Sequence, residues 1–479
     1  MRLLLSLLLI INLQLIAQEN RWLMQNIRVV DVDKGQLLPQ PQDVLIVGDR
    51  IHSIANSTSN ASPTDVKIID GKDKFLIPGL WDMHAHPDDP EVWRMSPPAE
   101  DRDLLMPQFV LNGVTGIRDM AGSMTVIQQW RKLGREEELL VPRIVACGPL
   151  LDGPNPMWDG SVGIDDSTQV PVVVDSLIAQ GSDFLKVYSL LPRSLYFTLS
   201  DYAAQQDIPM VGHVPFEVLP SEAAATGMKS QEHLLEILLE CSSRRHDIMN
   251  KNIDYGNLSN PFDKYIYRQN LMMDTFDQER WQQLIAVYQK HGTWHTPTLS
   301  MWYKNAWYEI ERSHDEELWP FLPDYLQKYW TPEHNDHLKY RDNENFLKLK
   351  KRLYGFYERL TLDLYQNGIK ILAGTDVGAN PLCWPGIGVH NELEALVKAG
   401  LTPAEALQTA TCNPADFLEL TDHGRVKENH QADLVILDSN PLRDIQAVRS
   451  IWGVVKNGHL YDPAERHKRL TEIKKLLRE

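Results

Sequence analysis

Short apolar runs with strand-like alternation occupy both ends of the chain. From Trp22 to Ile69 they read IRVVDVDKG, QDVLIVGDRIHSI and DVKIID, separated by Asp-Lys-Gly and Gly-Asp turn signals. This spacing predicts short strands joined by tight turns. The same texture returns between Gly424 and Tyr461, in GRVKENHQADLVILD and SIWGVVKNGHLY. Residues 18–77 and 424–465 are therefore expected to build one small β-sandwich from the two chain ends.

The long middle, residues 78–423, carries a different rhythm. Strand-length runs FLIPGLWDM, GVTGIRDM, RIVACGPLL, DFLKVYSL, IPMVGHV, MKSQEHL, TWHTPTL and IKILAGTD alternate with amphipathic stretches such as TVIQQWRKLG and LYFTLSDYAAQQ. Strands alternating with helices predict an α/β fold, here a (β/α)8 TIM barrel. MKSQEHL is the weakest of these strands on propensity, being polar.

Two connections are much longer than an ordinary βα loop. They are insertions near 237–289 and 302–368, and the second is dense in Trp and Tyr. Both follow barrel strands and so start at the C-terminal face, which favours a lid over helices packed outside. Residues 466–479, ERHKRLTEIKKLLRE with its first Glu, read as a basic amphipathic, solvated C-terminal helix.

Composition changes the picture in a few respects. With 479 residues, the chain is long enough for a large barrel plus an accessory unit. A net charge of -17 argues against nucleic-acid and anionic-membrane partners. The start, MRLLLSLLLIINLQLIAQEN, places one Arg before a Leu/Ile-rich run. That plan predicts a signal peptide over residues 1–17 and an exported protein, periplasmic or secreted, with an uncleaved anchor as the alternative. No other segment is apolar enough to span a membrane, and the oligomeric state is left open. The four cysteines lack a C-x-x-C pair, so buried thiols are expected over a metal or disulfide framework.

Candidate chemistry collects at the strand ends. His84 and His86 in DMHAHP lie one residue apart, so on a strand both project to one face. Alone, H-x-H is a weak metal signal. Four further ends add to it: Lys186 in DFLKVY, His213 in MVGHVP, His233 in SQEHL and Asp376 in LAGTDVG. Each taken singly has an ordinary reading: a paired lysine, a satisfied core histidine, a helix-start histidine, an N-cap. Together, in this strand order, they point to metal chemistry at the C-terminal end of a barrel.

These motifs, with GVTGIRDM and with VHNELEALVKAGLTPAEALQTATCNPADFLEL ahead of GRVKENHQADLVILDSNPL, make the chain similar to the metal-dependent amidohydrolase superfamily. The resemblance is to its imidazolonepropionase-like and prolidase-like branch and covers nearly the whole mature chain. It implies two divalent metal ions, with zinc the first choice. His84, His86 and Asp376 would hold the more buried ion, and His213 and His233 the second. Lys186 would carry a bridging carbamate. Asp376 would serve as general base and then return the proton to the leaving amine, while His233 or a neighbour steadies the oxyanion.

The implied reaction is hydrolysis of an amide or peptide C–N bond in a small or dipeptide-like substrate, by a dipeptidase or carboxypeptidase of prolidase-like type. A cyclic-amide hydrolase resembling imidazolonepropionase is the alternative, against which Lys186 and the leader both weigh. A catalytically silent ligand-binding relative is the other. Tyr188, Arg118, His295 and His390 are candidates for substrate contact. Each also has a structural reading: a rim tyrosine, a buried ion pair, a core histidine and a helix cap.

Overall fold

A computed structural model describes residues 20–57, 66–378 and 380–478. The leader expected at residues 1–17 lies outside them.

The two chain ends pair as expected, but through hydrogen bonds that make one nine-stranded sheet. Its hub is the strand Arg21–Asp31, which is long enough to pair with different neighbours along its two halves. It runs antiparallel to Gln42–Val47 and parallel to Lys67–Asp70 and Phe75–Pro78. Phe75–Pro78 then takes Leu434–Leu437 from the far end of the chain, followed by Ile451–Lys456. Ile51 and Leu460 come from opposite ends of this strand order yet share a core with Trp22, Met24 and Ile436, so the sheet curls on itself.

The run FLIPGLWDM is split by its glycine. Phe75–Pro78 belongs to the terminal sheet and Leu80–Ala85 opens the central parallel strands. A Cβ at Gly79 would collide with Thr115, so this close crossing requires glycine. Leu80–Ala85, Val114–Asp119 and Arg143–Ala146 form one parallel sheet. Leu185–Val187, Met210–Gly212, Ser230–Glu232 and Trp294–Thr296 run side by side in a second.

IKILAGTD, read as the eighth strand, forms no ladder. It makes isolated parallel bridges, His295 to Ile371 on one side and Ala85 to Val377 on the other. Its backbone is irregular where Asp376 turns to φ 59°, which ends regular pairing. Hydrogen bonds from Met83 N to Ala373 O (2.8 Å) and Leu372 N to His295 O (2.9 Å) still fix it between the first and seventh strands.

The polar sixth strand is stable because each buried side chain has partners. Ser230 and Glu232 meet Arg118, while Gln231 donates to Pro220 O and accepts from the Tyr288 hydroxyl. Pairing removes the penalty that low propensity predicts. The insertions fold as helices, the longest being Glu344–Gln366, which packs along Leu299–Ala306. Trp319 and Trp330 of the second insertion meet Trp384 edge to face in a core shared with Val92 and Leu105. The C-terminal helix spans Pro463–Leu476 and is pinned rather than freely solvated, since Arg466 donates to Leu111 O and Ile451 O. All four cysteines are free and buried, and among the described residues no helix is long and apolar enough to cross a membrane.

Candidate metal centre

His84 and His86 project from the end of the first parallel strand toward Asp376. His86 Nε2 lies 3.1 Å and His84 Nε2 3.3 Å from Asp376 Oδ1, and the three side chains offer ligand atoms within 4.8 Å of one another. His233 Nε2 stands 3.9 Å from Asp376 Oδ2. Lys186 Nζ is 3.4 Å from His84 Nε2. His213 meets His233 edge to face, with centroids 5.1 Å apart. The six side chains predicted from the strand ends therefore share one small volume. His233, Leu234 and Asp376 adopt left-handed backbone, φ 59–60°, which is costly for residues with a Cβ and recurs where a site demands a particular side-chain direction.

Neighbouring groups fix which ring nitrogen is available. His84 Nδ1 is 2.9 Å from Glu232 Oε2, an acceptor, so Nδ1 carries the hydrogen and Nε2 keeps its lone pair. The Thr298 hydroxyl donates to Pro297 O and so accepts from His233 Nδ1, at 2.8 Å, which again leaves Nε2 as the lone pair. Imidazoles oriented this way by a partner on the far nitrogen suit metal ligation. Asn380 Nδ2 donates to Asp376 Oδ2 at 2.7 Å, directing the other oxygen to the histidines.

Burial dominates the electrostatics. It pushes His84 and His213 well below the ordinary histidine range, Lys186 helping at His84 and His233 at His213. It also lowers His233 and Lys186. For Asp376, burial works upward, but the charge of His233 and the hydrogen bond to His86 outweigh it and hold the carboxyl well below its usual value. The His84 Nε2 lone pair thus stands 3.3 Å from the Asp376 carboxylate. Two acceptors in that arrangement repel unless a proton or a cation lies between them, so the donor set fits a divalent metal.

The first strand is also tied to the loop bearing Asp376. Asp82 accepts from Thr375 N at 3.0 Å and Thr375 Oγ1 at 2.6 Å, and burial raises its carboxyl to about 7. Gly374 lets the two segments approach: a Cβ there would stand 2.7 Å from His84 Cβ and 2.5 Å from Thr296 Cγ2.

A cavity of about 290 Å³ opens onto His86, Lys186, His213, His233 and Asp376. Its walls are distant in sequence. Trp158 and Tyr188 line one side, where Trp158 Nε1 donates to the Tyr188 hydroxyl at 2.7 Å and the Tyr188 ring stacks on His213. Asp89 and Glu91 form an acidic edge. Tyr265 from the first insertion and Trp302, His337, Phe346, Lys350 and Leu353 from the second complete it.

Of the four substrate candidates, Tyr188 faces the cavity and the other three do not. Arg118 is fully buried beneath His84. It donates to Met83 O at 2.6 Å, Ser230 Oγ at 2.9 Å, both Glu232 oxygens at 2.9 Å and Thr296 Oγ1 at 3.1 Å, and it does not reach the cavity wall. His295 faces outward because alternation on its strand sends Thr296 inward to Arg118. It meets Tyr288 edge to face, and burial lowers it to about 3. His390 Nε2 is bonded to Asn112 O at 2.9 Å, away from the cavity.

Sequence reasoning missed Glu232, Thr298 and Asn380, which orient the candidate ligands, and Trp158, Glu91 and Lys350 in the walls. Glu232 had a signal, as a charged residue inside a strand beside His233. The wall residues lie in loops and insertions with no periodicity to mark them.

Residues 360–461, which contain Asp376, match the amidohydrolase family. Ochratoxinase from Aspergillus niger is 34% identical over 108 residues, which span 21% of this chain and 22% of that enzyme, so the match reaches about a fifth of the curated relative's length. Among solved structures, bottromycin amidohydrolase aligns with a TM-score of 0.71 at 22% identity, covering 96% of this chain and 91% of its own. A candidate prolidase from Bifidobacterium longum aligns with a TM-score of 0.67 at 20% identity, covering 95% and 99%. Residues 360–461 thus match the amidohydrolase family, and the chain as a whole shares its α/β fold with these solved structures.

Proposed function

We propose that this protein is a binuclear metal-dependent hydrolase that cleaves an amide or peptide C–N bond of a small substrate, as a dipeptidase or carboxypeptidase of prolidase-like type. The observation that carries this reading is the meeting of His84, His86, Lys186, His213, His233 and Asp376 beneath one cavity. His84, His86 and Asp376 would hold the more buried ion, and His213 and His233 the other. Lys186, as a carbamate, would stand between them. A closed barrel around the site and the export of the chain are part of the same proposal.

Two divalent ions, when bound, would supply an acidified water and a polarised carbonyl. The chain's own residues do the rest. Asp376, held ionised, takes the proton of the attacking water on Oδ1 and passes it to the leaving nitrogen. Asn380 keeps its other oxygen engaged. Residues of the second insertion form part of the cavity wall.

Metal analysis of protein purified without chelator and with bicarbonate present should find about two divalent ions per chain, as expected for a two-metal site. Metal-free protein with an unmodified Lys186 would sink the binuclear reading. Lys186→Ala should abolish turnover of Xaa-Pro dipeptides and N-acyl amino acids, and full activity would rule out its bridging role. Fractionation of the producing cells tests export.

A further inference from the structure

The cavity has a cation whose place in the proposed chemistry is unassigned. Lys350 sits on the helix Glu344–Gln366, and Phe346, Lys350 and Leu353 follow one another at i, i+4 and i+7. That spacing puts them on one helix face, and all three line the cavity. Lys350 Nζ donates to His337 O at 2.9 Å and lies 4.7 Å from the Phe346 ring centroid. An ammonium has three donors, so this leaves capacity for a ligand.

The pairing of other lysines in the same insertion makes the contrast clear. Lys304 is held between Glu311 and Asp315 at 2.7 and 2.8 Å, and Lys348 pairs with Glu344 at 2.6 Å. Among the described residues, no carboxylate lies within ion-pairing distance of Lys350, which is half-buried in the cavity wall. Burial lowers its ammonium to about 8, so at neutral pH it remains mostly charged. A half-buried ammonium without a counter-ion is a ready partner for an anionic ligand group.

The rest of the lining says where an anion would go. Lys186 and Lys350 are the Lys or Arg residues on the cavity wall, and Lys186 is enclosed by the metal-ligand histidines. The acidic groups of the lining are Asp89, Glu91, Asp336 and Asp376, none of them paired with Lys350. Lys350 is flanked by His337, whose carbonyl it bonds, and by apolar Phe346 and Leu353 on its own helix.

We propose that Lys350 anchors the free α-carboxylate of the amino acid whose amide nitrogen is cleaved, and that Phe346 and Leu353 receive an apolar side chain on that amino acid. This rests on the hydrolase reading and narrows it to N-acyl amino acids and dipeptides with a free carboxylate and an apolar C-terminal residue.

The test uses the full, metal-loaded protein and a probe whose scissile C–N bond is replaced by C–C: the ketomethylene analogue of N-acetyl-L-leucine, compared with its primary carboxamide. Calorimetric titration at pH 7 should find the acid bound about tenfold or more tightly than the amide, the size expected of a charge-assisted contact. Lys350→Met should erase that preference by weakening the acid while leaving the amide unchanged, and Lys350→Arg should retain most of it. Equal binding of acid and amide to the wild type, binding of neither, or an intact preference in Lys350→Met would overturn the assignment. Failure of the hydrolase reading registers separately: absent turnover of N-acetyl-L-leucine with the acid preference intact would remove the enzyme and leave the anchor.

Discussion

Arg118→Met separates a structural from a substrate-binding role for this residue. The guanidinium is fully buried and bonds Met83, Ser230, Glu232 and Thr296. Removing it leaves Glu232, itself buried, as a carboxylate held by Ser230 Oγ and His84 alone among these neighbours. Breaking a buried pair from one side costs about 3–5 kcal/mol, a large part of a typical total of about 5–15 kcal/mol. A chain of 479 residues has an unfolding entropy near 1 kcal/mol per kelvin, so the expected loss is about 3–5 °C in Tm. Scanning calorimetry at one scan rate should show this, and the Arg118→Met/Glu232→Gln double variant should recover about half of it, because the stranded charge is gone. A single variant within about 1 °C of wild type, changed only in KM, would refute the structural role and return Arg118 to the substrate. Two variants that simply add would refute the coupling.

His295 offers a pH prediction. It is buried without a hydrogen-bond partner on either ring nitrogen among the described residues and is held neutral, near pKa 3. Its folded value lies below the ordinary 6.5, so the unfolded chain binds a proton that the folded chain does not. Stability is therefore lost as pH falls from 6.5 toward 3, by up to about 1.4 kcal/mol per unit. His295→Phe should keep activity and flatten this acid limb in urea titrations, and an unchanged slope would contradict the assignment. Gly374→Ala should weaken metal affinity by about tenfold or more, through about 1–3 kcal/mol of overpacking against His84 and Thr296. Competition with a chelator measures this, and wild-type affinity would show that the two segments can separate. Asp376→Asn should lose nearly all turnover, since an amide cannot accept the proton, and an unchanged kcat would exclude Asp376 as the base.

The meeting of the candidate metal-centre residues was legible because each closes a strand-like run. His84, His86, Lys186, His213, His233 and Asp376 sit where a hydrophobic pattern ends in an ionisable group, and chain order alone ranks them as successive strand ends. Pairing of the two chain ends was equally visible, since GRVKENHQADLVILD repeats the texture of residues 22–69. Arg118, His295 and His390 share the same surface features, yet the structure turns them elsewhere. Which face a residue takes on a three-residue strand, and whether a buried cation already has its partner, depend on neighbours more than a hundred positions away: Glu232 for Arg118, Asn112 for His390.

What the sequence determined by itself, then, was periodicity: the alternation of strands and helices and the donor types at the strand ends. These are local properties, set by covalent spacing and side-chain chemistry. Only the tertiary structure decided which lone pairs face inward, because Glu232 and Thr298 fix the rings of His84 and His233 from other strands. It also decided the shape of the cavity. Trp158, Glu91 and Lys350 meet there from segments far apart in the chain, brought together by the burial of their apolar neighbours and not by any spacing a sequence displays.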